Sequence, residues 1–189
     1  MKIKDISGWR ATLPVACAVV TLALGIAGCV SYQPKPGEQA AKLRLTTFSP
    51  SFTYLNVQDM NACPRQELAV MQKIDNVGMP PTSIGMMGAP EPGSRKHLET
   101  LIPAGRPLFG KLSAGTVATQ YSGGYSCGFG FTFNPTPDAQ YEVVFREGEK
   151  SCGARLYELK ALSDGEVIKV AEPSFKTFAL EQSSCYRRL

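Results

Sequence analysis

The strongest constraint on the fold is an alternation of apolar residues between positions 127 and 145. Every second side chain is apolar over two runs, and a Pro-rich turn at 134–138 separates the runs. Alternation of this kind places one face of each strand in a core and the other face outward. The apolar face carries Cys127, Phe129, Phe131, Phe133, Tyr141, Val143 and Phe145.

Similar patterns, bounded by Gly, Pro, Asn and Asp, predict further short strands. These cover 42–48, 52–57, 96–102, 107–112, 116–121, 151–161, 166–171 and 175–180. Residues 61–76 fit either a helix opened by Pro64 or a strand through 68–71, and the β-rich surroundings favour a strand. Residues 78–94 are rich in Pro and Gly and are predicted to form a long surface loop. The pattern predicts an all-β fold, an antiparallel β-sandwich of the immunoglobulin/transthyretin-like kind.

The N-terminus has the pattern of an export signal. Lys2, Lys4 and Arg10 precede an uncharged, mostly apolar stretch at 11–26. This stretch is shorter than the roughly 20 residues that span a bilayer, and it contains Pro14. It ends in Ile26-Ala27-Gly28-Cys29, which resembles the lipobox of bacterial lipoproteins. The resemblance implies that residues 1–28 are a lipoprotein signal peptide and that Cys29 becomes the lipid-modified first residue. An uncleaved anchor and ordinary secretion are the alternatives.

The lipobox resemblance also implies a location. Val30, not Asp, follows Cys29, which in Gram-negative lipoproteins implies delivery to the outer membrane with the domain facing the periplasm or exposed at the surface. Two or more acyl chains give stable attachment, whereas one chain is marginal. Residues 29–41 are polar and Pro-rich and are predicted to be a flexible linker. Residues 42–189 then form the β-sandwich domain, which is of ordinary single-domain size.

Short motifs along the domain resemble those of a group of uncharacterised proteobacterial lipoproteins. The motifs are Leu43-Arg44-Leu45, Ile102-Pro103-Ala104-Gly105-Arg106-Pro107 and Tyr141-Glu142-Val143. The architecture is also similar to the small sandwich lipoprotein of type VI secretion systems, a family that does not typically depend on cysteines. That second resemblance implies an accessory role in a secretion system.

Four cysteines follow Cys29, and an even number in an exported chain predicts two disulfides. A zinc site is less favoured because no pair has Cys-x-x-Cys spacing. If strands 127–133, 141–146 and 151–161 form a meander, Cys127 and Cys152 lie about 9.5 Å apart, beyond the roughly 7 Å that a bridge spans. We therefore expect the pairs Cys63–Cys127 and Cys152–Cys185. The pairing of Cys63 with Cys152 and of Cys127 with Cys185 stays open.

Gly124-Tyr125-Ser126-Cys127-Gly128 matches the Gly-x-Ser-x-Gly motif of serine hydrolases, with His97 as the only histidine to serve as base. That motif needs a strand before the serine and a helix after it. Here a turn precedes Ser126 and a strand follows it. The sequence therefore favours a chance match and predicts that the protein is not an enzyme.

Other candidate groups have simpler explanations. Thioethers suit Cu(I), so Met79, Met86 and Met87 with His97 are a low-ranking copper hypothesis against a loop whose methionines pack on the sandwich. The aromatic residues near the 121–125 turn are either a partner-binding rim or ordinary core, and core is favoured. They are Phe109, Tyr121, Tyr125 and Phe129. The carboxylates at turns are interpreted as solvated charges, and they are Glu147, Glu149 and Asp164.

The formal net charge is +4, and residues 1–28 carry +2 of it, so the mature chain is near +2 with no basic patch, and no nucleic-acid partner is expected. No cofactor or metal site is predicted. The expected function is that of a membrane-anchored, non-enzymatic binding or structural module of the cell envelope with a protein partner there. Inhibition of a lytic enzyme is a subsidiary possibility, for which no recognisable motif is present.

Overall fold

The computed structural model describes residues 32–59, 67–74, 83–94, 96–115, 126–148 and 151–179. Within these ranges the chain forms ten strands and no helix, which confirms the all-β prediction. The strands are β1 (Ala40–Thr47), β2 (Phe52–Asp59), β3 (Glu67–Ile74), β4 (Lys96–Pro103), β5 (Leu108–Gly115), β6 (Ser126–Phe133), β7 (Gln140–Glu147), β8 (Cys152–Ala161), β9 (Val167–Ala171) and β10 (Lys176–Phe178). The ambiguous segment at 61–76 contains strand β3, as the β-rich surroundings indicated. The predicted strand at 116–121 lies outside the described residues.

The strands form two five-stranded sheets. The first sheet has the order β4-β1-β7-β8-β9 and the second has the order β10-β6-β5-β2-β3. Strands β1 and β7 run parallel, and every other neighbouring pair is antiparallel. The two sheets therefore make the predicted sandwich, with one parallel pair at the centre of the first sheet.

The core lies between the sheets and takes every second side chain from both. Phe133 of the second sheet meets Tyr141 of the first edge to face, with ring centroids 5.2 Å apart. Phe129 stacks on Phe145 across the same layer at 6.2 Å. All four rings are buried. The alternation at 127–145 thus marks the core face of β6 and β7, as predicted.

The expected meander of β6, β7 and β8 is wrong. Residues 134–139 carry the chain from the second sheet to the first, so β6 is not a neighbour of β7. This crossing is fixed by hydrogen bonds that a simple hairpin turn would not make. The Asp138 amide donates to the Ala40 carbonyl (2.8 Å), the Gly105 amide to the Pro135 carbonyl (2.9 Å) and the Thr136 amide to the Tyr141 hydroxyl (2.9 Å).

The crossing also corrects the expected disulfides. Cys127 on β6 is bonded to Cys152 on β8, with their Cα atoms 6.0 Å apart. Both residues point into the space between the sheets, so the bridge joins one sheet to the other. The pairs Cys63–Cys127 and Cys152–Cys185, and the open alternative to them, are therefore wrong for Cys127 and Cys152. Cys63 and Cys185 themselves lie outside the described residues.

The segment expected to be a flexible linker over 29–41 packs on the domain where it is described. Tyr32 is 6 % exposed and belongs to the hydrophobic core. Burial, followed by the neighbouring Glu38 carboxylate, raises the pKa of Tyr32 to about 12. The Glu38 amide donates to the Lys35 carbonyl (2.9 Å) and closes a turn before β1. Tyr32 and the residues from Glu38 onward therefore contact the domain, unlike a flexible linker, whereas residues 33 and 35–37 are exposed.

Candidate functional site

The outer face of the first sheet carries charged residues that are fully buried. Leu43 and Leu45 of β1 point into the core, so Arg44 between them points outward. The register places Arg44 directly between Glu99 of β4 and Glu142 of β7. These three side chains are 1 %, 4 % and 0 % exposed. A solvated outer face does not bury charges to this degree, so something covers them.

The loop at 83–94 covers these charged side chains, and Arg44 hydrogen-bonds to the backbone of the loop. The Arg44 guanidinium donates to Glu99 Oε1 through Nε (2.9 Å) and Nη2 (2.8 Å). Nη2 also points at three consecutive loop carbonyls, those of Met86 (3.4 Å), Met87 (3.3 Å) and Gly88 (2.9 Å). The cation therefore joins a strand carboxylate to the backbone of the loop.

Glu99 fixes the same loop through its other oxygen. Glu99 Oε2 accepts from the Ser83 hydroxyl (2.9 Å) and from the amides of Ile84 (2.9 Å) and Met86 (3.2 Å). Burial by itself would raise the pKa of this carboxyl. The Arg44 guanidinium and the three loop donors more than offset that, and they lower the pKa from 4.5 to about 2.

Glu142 extends the network towards β9. Its Oε1 accepts from the Thr46 hydroxyl (2.6 Å) and the Glu91 amide (2.9 Å). Its Oε2 forms an ion pair with Lys169 Nζ at 2.8 Å and lies 3.9 Å from Arg44 Nη1. Lys169 also donates to Glu91 Oε2 (2.6 Å). Burial lowers the pKa of Lys169, but these two carboxylates outweigh it and leave the pKa above its ordinary value.

An open cleft lies beside this network, on the outer face of β7 and β8. It has a volume of about 380 Å³ and is lined by Glu91, Val144, Arg146, Gly153, Ala154, Arg155 and Tyr157. In the register, Arg146 is opposite Gly153 and Val144 is opposite Arg155. Two guanidinium groups therefore stand diagonally across a floor formed by a valine and a glycine.

The two arginines differ in how they are held. Arg146 lies over the Phe48 ring, with its guanidinium carbon 3.8 Å from the ring centroid, and approaches Glu91 Oε1 at 3.7 Å. The Arg155 side chain forms no ion pair or hydrogen bond in the part of the chain that the structure describes. Two guanidinium groups and one carboxylate line the cleft, so its lining carries an excess of one positive charge. An arrangement of this kind suits an anionic group.

The two residues of the disfavoured serine hydrolase alternative, Ser126 and His97, are not brought together. Cys127 points into the sandwich, so Ser126 beside it is on the outer face of the second sheet, where it is exposed. His97 pairs with Thr46 in the register and is therefore on the outer face of the first sheet. The two residues lie on opposite sides of the sandwich, and His97 is not placed to accept a proton from Ser126.

The other candidate residues from the sequence analysis either pack in the structure or form structural hydrogen bonds. Phe129 is core, and Phe109 lies against Phe178 on the outer face of the second sheet, with ring centroids 5.3 Å apart. Met86 is a buried residue of the loop at 83–94, which supports packing for this residue. Glu147 is not a solvated turn charge, because it accepts hydrogen bonds from the hydroxyls of Ser49 and Ser51.

Asp164 does lie in the predicted hairpin, where its side chain accepts from the Glu166 amide (3.0 Å). No group of three or more His, Cys, Asp or Glu side chains suited to a metal is found among the described residues. Several candidate residues lie outside those ranges, and they are Cys29, Cys63, Met79, Tyr121, Tyr125, Glu149 and Cys185.

Comparison with known proteins adds no relative. No family model matches the chain, and neither a curated protein nor a solved structure is significantly similar to it. Within the described ranges, no helix is long and apolar enough to cross a membrane. The site is therefore defined by its own geometry alone.

The depressed pKa of Glu99 predicts a specific loss of stability in acid. The folded pKa is about 2 and the unfolded value is near 4.5, so the contribution is complete above about pH 5 and is lost as the pH falls towards 2. Its size is about 3 kcal/mol. Urea unfolding of the protein and of a Glu99→Gln variant, measured at intervals from pH 7 to pH 2.5, is expected to converge at low pH. Parallel profiles would show that Glu99 does not titrate with folding.

Proposed function

We propose that the protein is a lipoprotein of the bacterial cell envelope, anchored through Cys29, whose β-sandwich binds a partner without catalysing a reaction. The observation that carries the anchor is the sequence Ile26-Ala27-Gly28-Cys29 at the end of an apolar segment with a basic start. On this proposal the anchor lies in the outer membrane and the domain faces the periplasm.

The structure offers two observations that support this proposal. The Cys127–Cys152 bridge suits an oxidising compartment outside the cytoplasm. Tyr32 is buried in the core only three residues after Cys29, which would hold the sandwich close to the bilayer. Three extended residues reach only about 10 Å.

The binding role rests on the outer face of the first sheet. A network of buried charges fixes the loop at 83–94, and a positively charged cleft opens beside it. The separation of Ser126 from His97 removes the acid–base pair that a serine hydrolase would need. A serine-reactive fluorophosphonate is therefore expected to leave Ser126 unlabelled.

A second candidate is an accessory lipoprotein of a secretion system. The strand order favours it, because β4-β1-β7-β8 packed on β6-β5-β2-β3, with β1 parallel to β7, supports the transthyretin-like form of the predicted sandwich. The inter-sheet disulfide counts against it, since that secretion-system family does not typically depend on cysteines. Crosslinking in cells distinguishes the two, because capture of secretion-system components would favour this candidate.

Mass spectrometry and palmitate labelling test the anchor directly. The purified protein is expected to begin at a diacylglyceryl-modified Cys29 and to incorporate labelled palmitate. A Cys29→Ser variant is expected to lose all label and to keep residues 1–28. A Cys17→Ser variant is the matched control, because it alters a cysteine within the signal segment and is expected to be processed and labelled normally. An unlabelled wild-type chain with its N-terminus intact would refute the anchor.

A further inference from the structure

We propose that the cleft between Arg146 and Arg155 binds a small oxyanion ligand, namely a carboxylate or phosphate group carried on a body about the size of one sugar ring. This inference rests on the proposed binding role but not on the lipid anchor. It assigns the binding to a defined surface, the outer face of β7 and β8.

The charge of the cleft points to an anion. Arg146 and Arg155 both line it, and the one carboxylate that lines it is Glu91. Glu91 is already committed, because its Oε2 is held by Lys169 Nζ at 2.6 Å and its amide is bound to Glu142. The contact from Arg146 to Glu91 is 3.7 Å, longer than a direct hydrogen bond. The guanidinium groups therefore keep most of their donors for a ligand.

The position of Arg146 is restrained before any ligand binds. Its guanidinium lies over the Phe48 ring at 3.8 Å, and it is restrained on another side by Glu91. Glu91 is itself anchored to the buried network through Lys169 and Glu142. A cation held in this way loses less conformational freedom on binding, which favours affinity. The fully buried charges at Arg44 and Glu142 thus support the wall of the cleft.

The floor of the cleft suits the body of the ligand more than its charge. Val144 contributes apolar surface, and Tyr157 adds a half-buried ring. Gly153 leaves the centre open, since a Cβ atom built there would meet nothing within 4 Å. A volume of about 380 Å³ lies in the lower part of the range for small-ligand pockets, about 300–1,000 Å³.

Isothermal titration of the detergent-solubilised mature protein at low salt tests the proposal with matched sugars. The probes are glucuronate, glucose 6-phosphate and uncharged glucose, which share a ring and differ in the anion. At least one charged sugar is expected to bind at least tenfold more tightly than glucose, and that binding is expected to weaken at high salt. The stronger of the two charged probes identifies carboxylate or phosphate as the preferred group.

Three variants locate the binding. Arg155→Gln is expected to weaken it at least tenfold, because Arg155 has no other described partner. Gly153→Val is expected to abolish it by filling the open centre. The fold is expected to stay intact, because a Cβ atom at this position meets nothing within 4 Å and valine is favoured in strands. Lys160→Gln is the matched control on the same strand, an exposed cation outside the cleft, and is expected to stay within twofold of wild type.

Three results would overturn the proposal. The first is that neither charged sugar binds more tightly than glucose, and the second is that Arg155→Gln and Gly153→Val bind as wild type does. Capture of a partner by crosslinking, if unchanged in Arg155→Gln and Gly153→Val, would also reject this site while leaving the proposed binding role in place. Lipidation at Cys29 is measured separately and is unaffected by any of these results.

Discussion

Replacing Glu99 with alanine is expected to lower the free energy of unfolding by about 3–5 kcal/mol, because it leaves the Arg44 cation buried without its main partner. Arg44 is 1 % exposed and donates two hydrogen bonds to Glu99. The remaining neighbour, Glu142, is 3.9 Å away and is shared with Lys169. Equilibrium urea unfolding at pH 7 measures the loss.

A substitution in an ion pair at the surface is the control, because it separates the effect of burial on the free energy of unfolding from the effect of losing a charge. Glu158 and Lys160 form an ion pair of 3.0 Å at the surface of the same sheet. Exposed pairs contribute little, about 0–1 kcal/mol. Glu158→Ala is therefore expected to change the free energy of unfolding by less than about 1 kcal/mol. An equal loss in both variants would contradict the role assigned to the buried network.

The double variant Arg44→Met/Glu99→Met tests what the network is for. Replacing a buried ion pair with apolar residues of similar size is often neutral or stabilising. Global stability is therefore expected to recover relative to Glu99→Ala. The loop at 83–94 nevertheless loses its hydrogen bonds with Arg44 and Glu99, so hydrogen exchange at the amides of Ile84 and Met86 is expected to be much faster than in wild type. Retained protection at these amides would show that the loop is held by other contacts.

Local patterns predicted the strands well, because alternation depends only on neighbours along the chain. Leu43, Leu45, Tyr141 and Val143 each fall on the core face that their spacing indicated. The buried network could not be predicted in this way. Arg44 and Glu142 occupy the alternate positions, which the period of two assigns to solvent, and only the covering loop changes that. The length and Pro/Gly content of residues 78–94 were the one local signal that such a cover existed.

Which strands are neighbours depends on whether each loop connects strands of one sheet or crosses to the other sheet. That depends on contacts throughout the fold. Residues 134–139 have the composition of a tight turn, and composition does not distinguish a hairpin from a crossing between sheets. The crossing is decided by the Tyr141 hydroxyl and by the carbonyls of Ala40 and Pro135, and two of these three residues lie outside the turn itself. Because the meander was wrong, the exclusion of a Cys127–Cys152 bridge that was based on it was wrong too.

Removing the bridge with Cys127→Ala/Cys152→Ala is expected to lower the free energy of unfolding by about 3.5 kcal/mol. The two residues are separated by 25 positions, and closing a loop of that length in the unfolded chain has this entropic value in the chain-entropy model. Because Cys127 and Cys152 are on different sheets, the loss is expected to affect the contact between the sheets as a whole. Urea unfolding of oxidised wild type and the double variant measures it.

Peptide mapping without reduction tests the pairing independently of stability. A cross-linked peptide containing Cys127 and Cys152 is expected from the wild type and equally from a Cys63→Ala variant, since the bridge does not involve Cys63. Had Cys63 been the partner of Cys127, the Cys63→Ala substitution would expose a free thiol at Cys127. Recovery of that thiol, or of a peptide joining Cys63 to Cys127, would contradict the bridge between the sheets. Either result would favour the meander of β6, β7 and β8, from which the pairing of Cys63 with Cys127 was predicted.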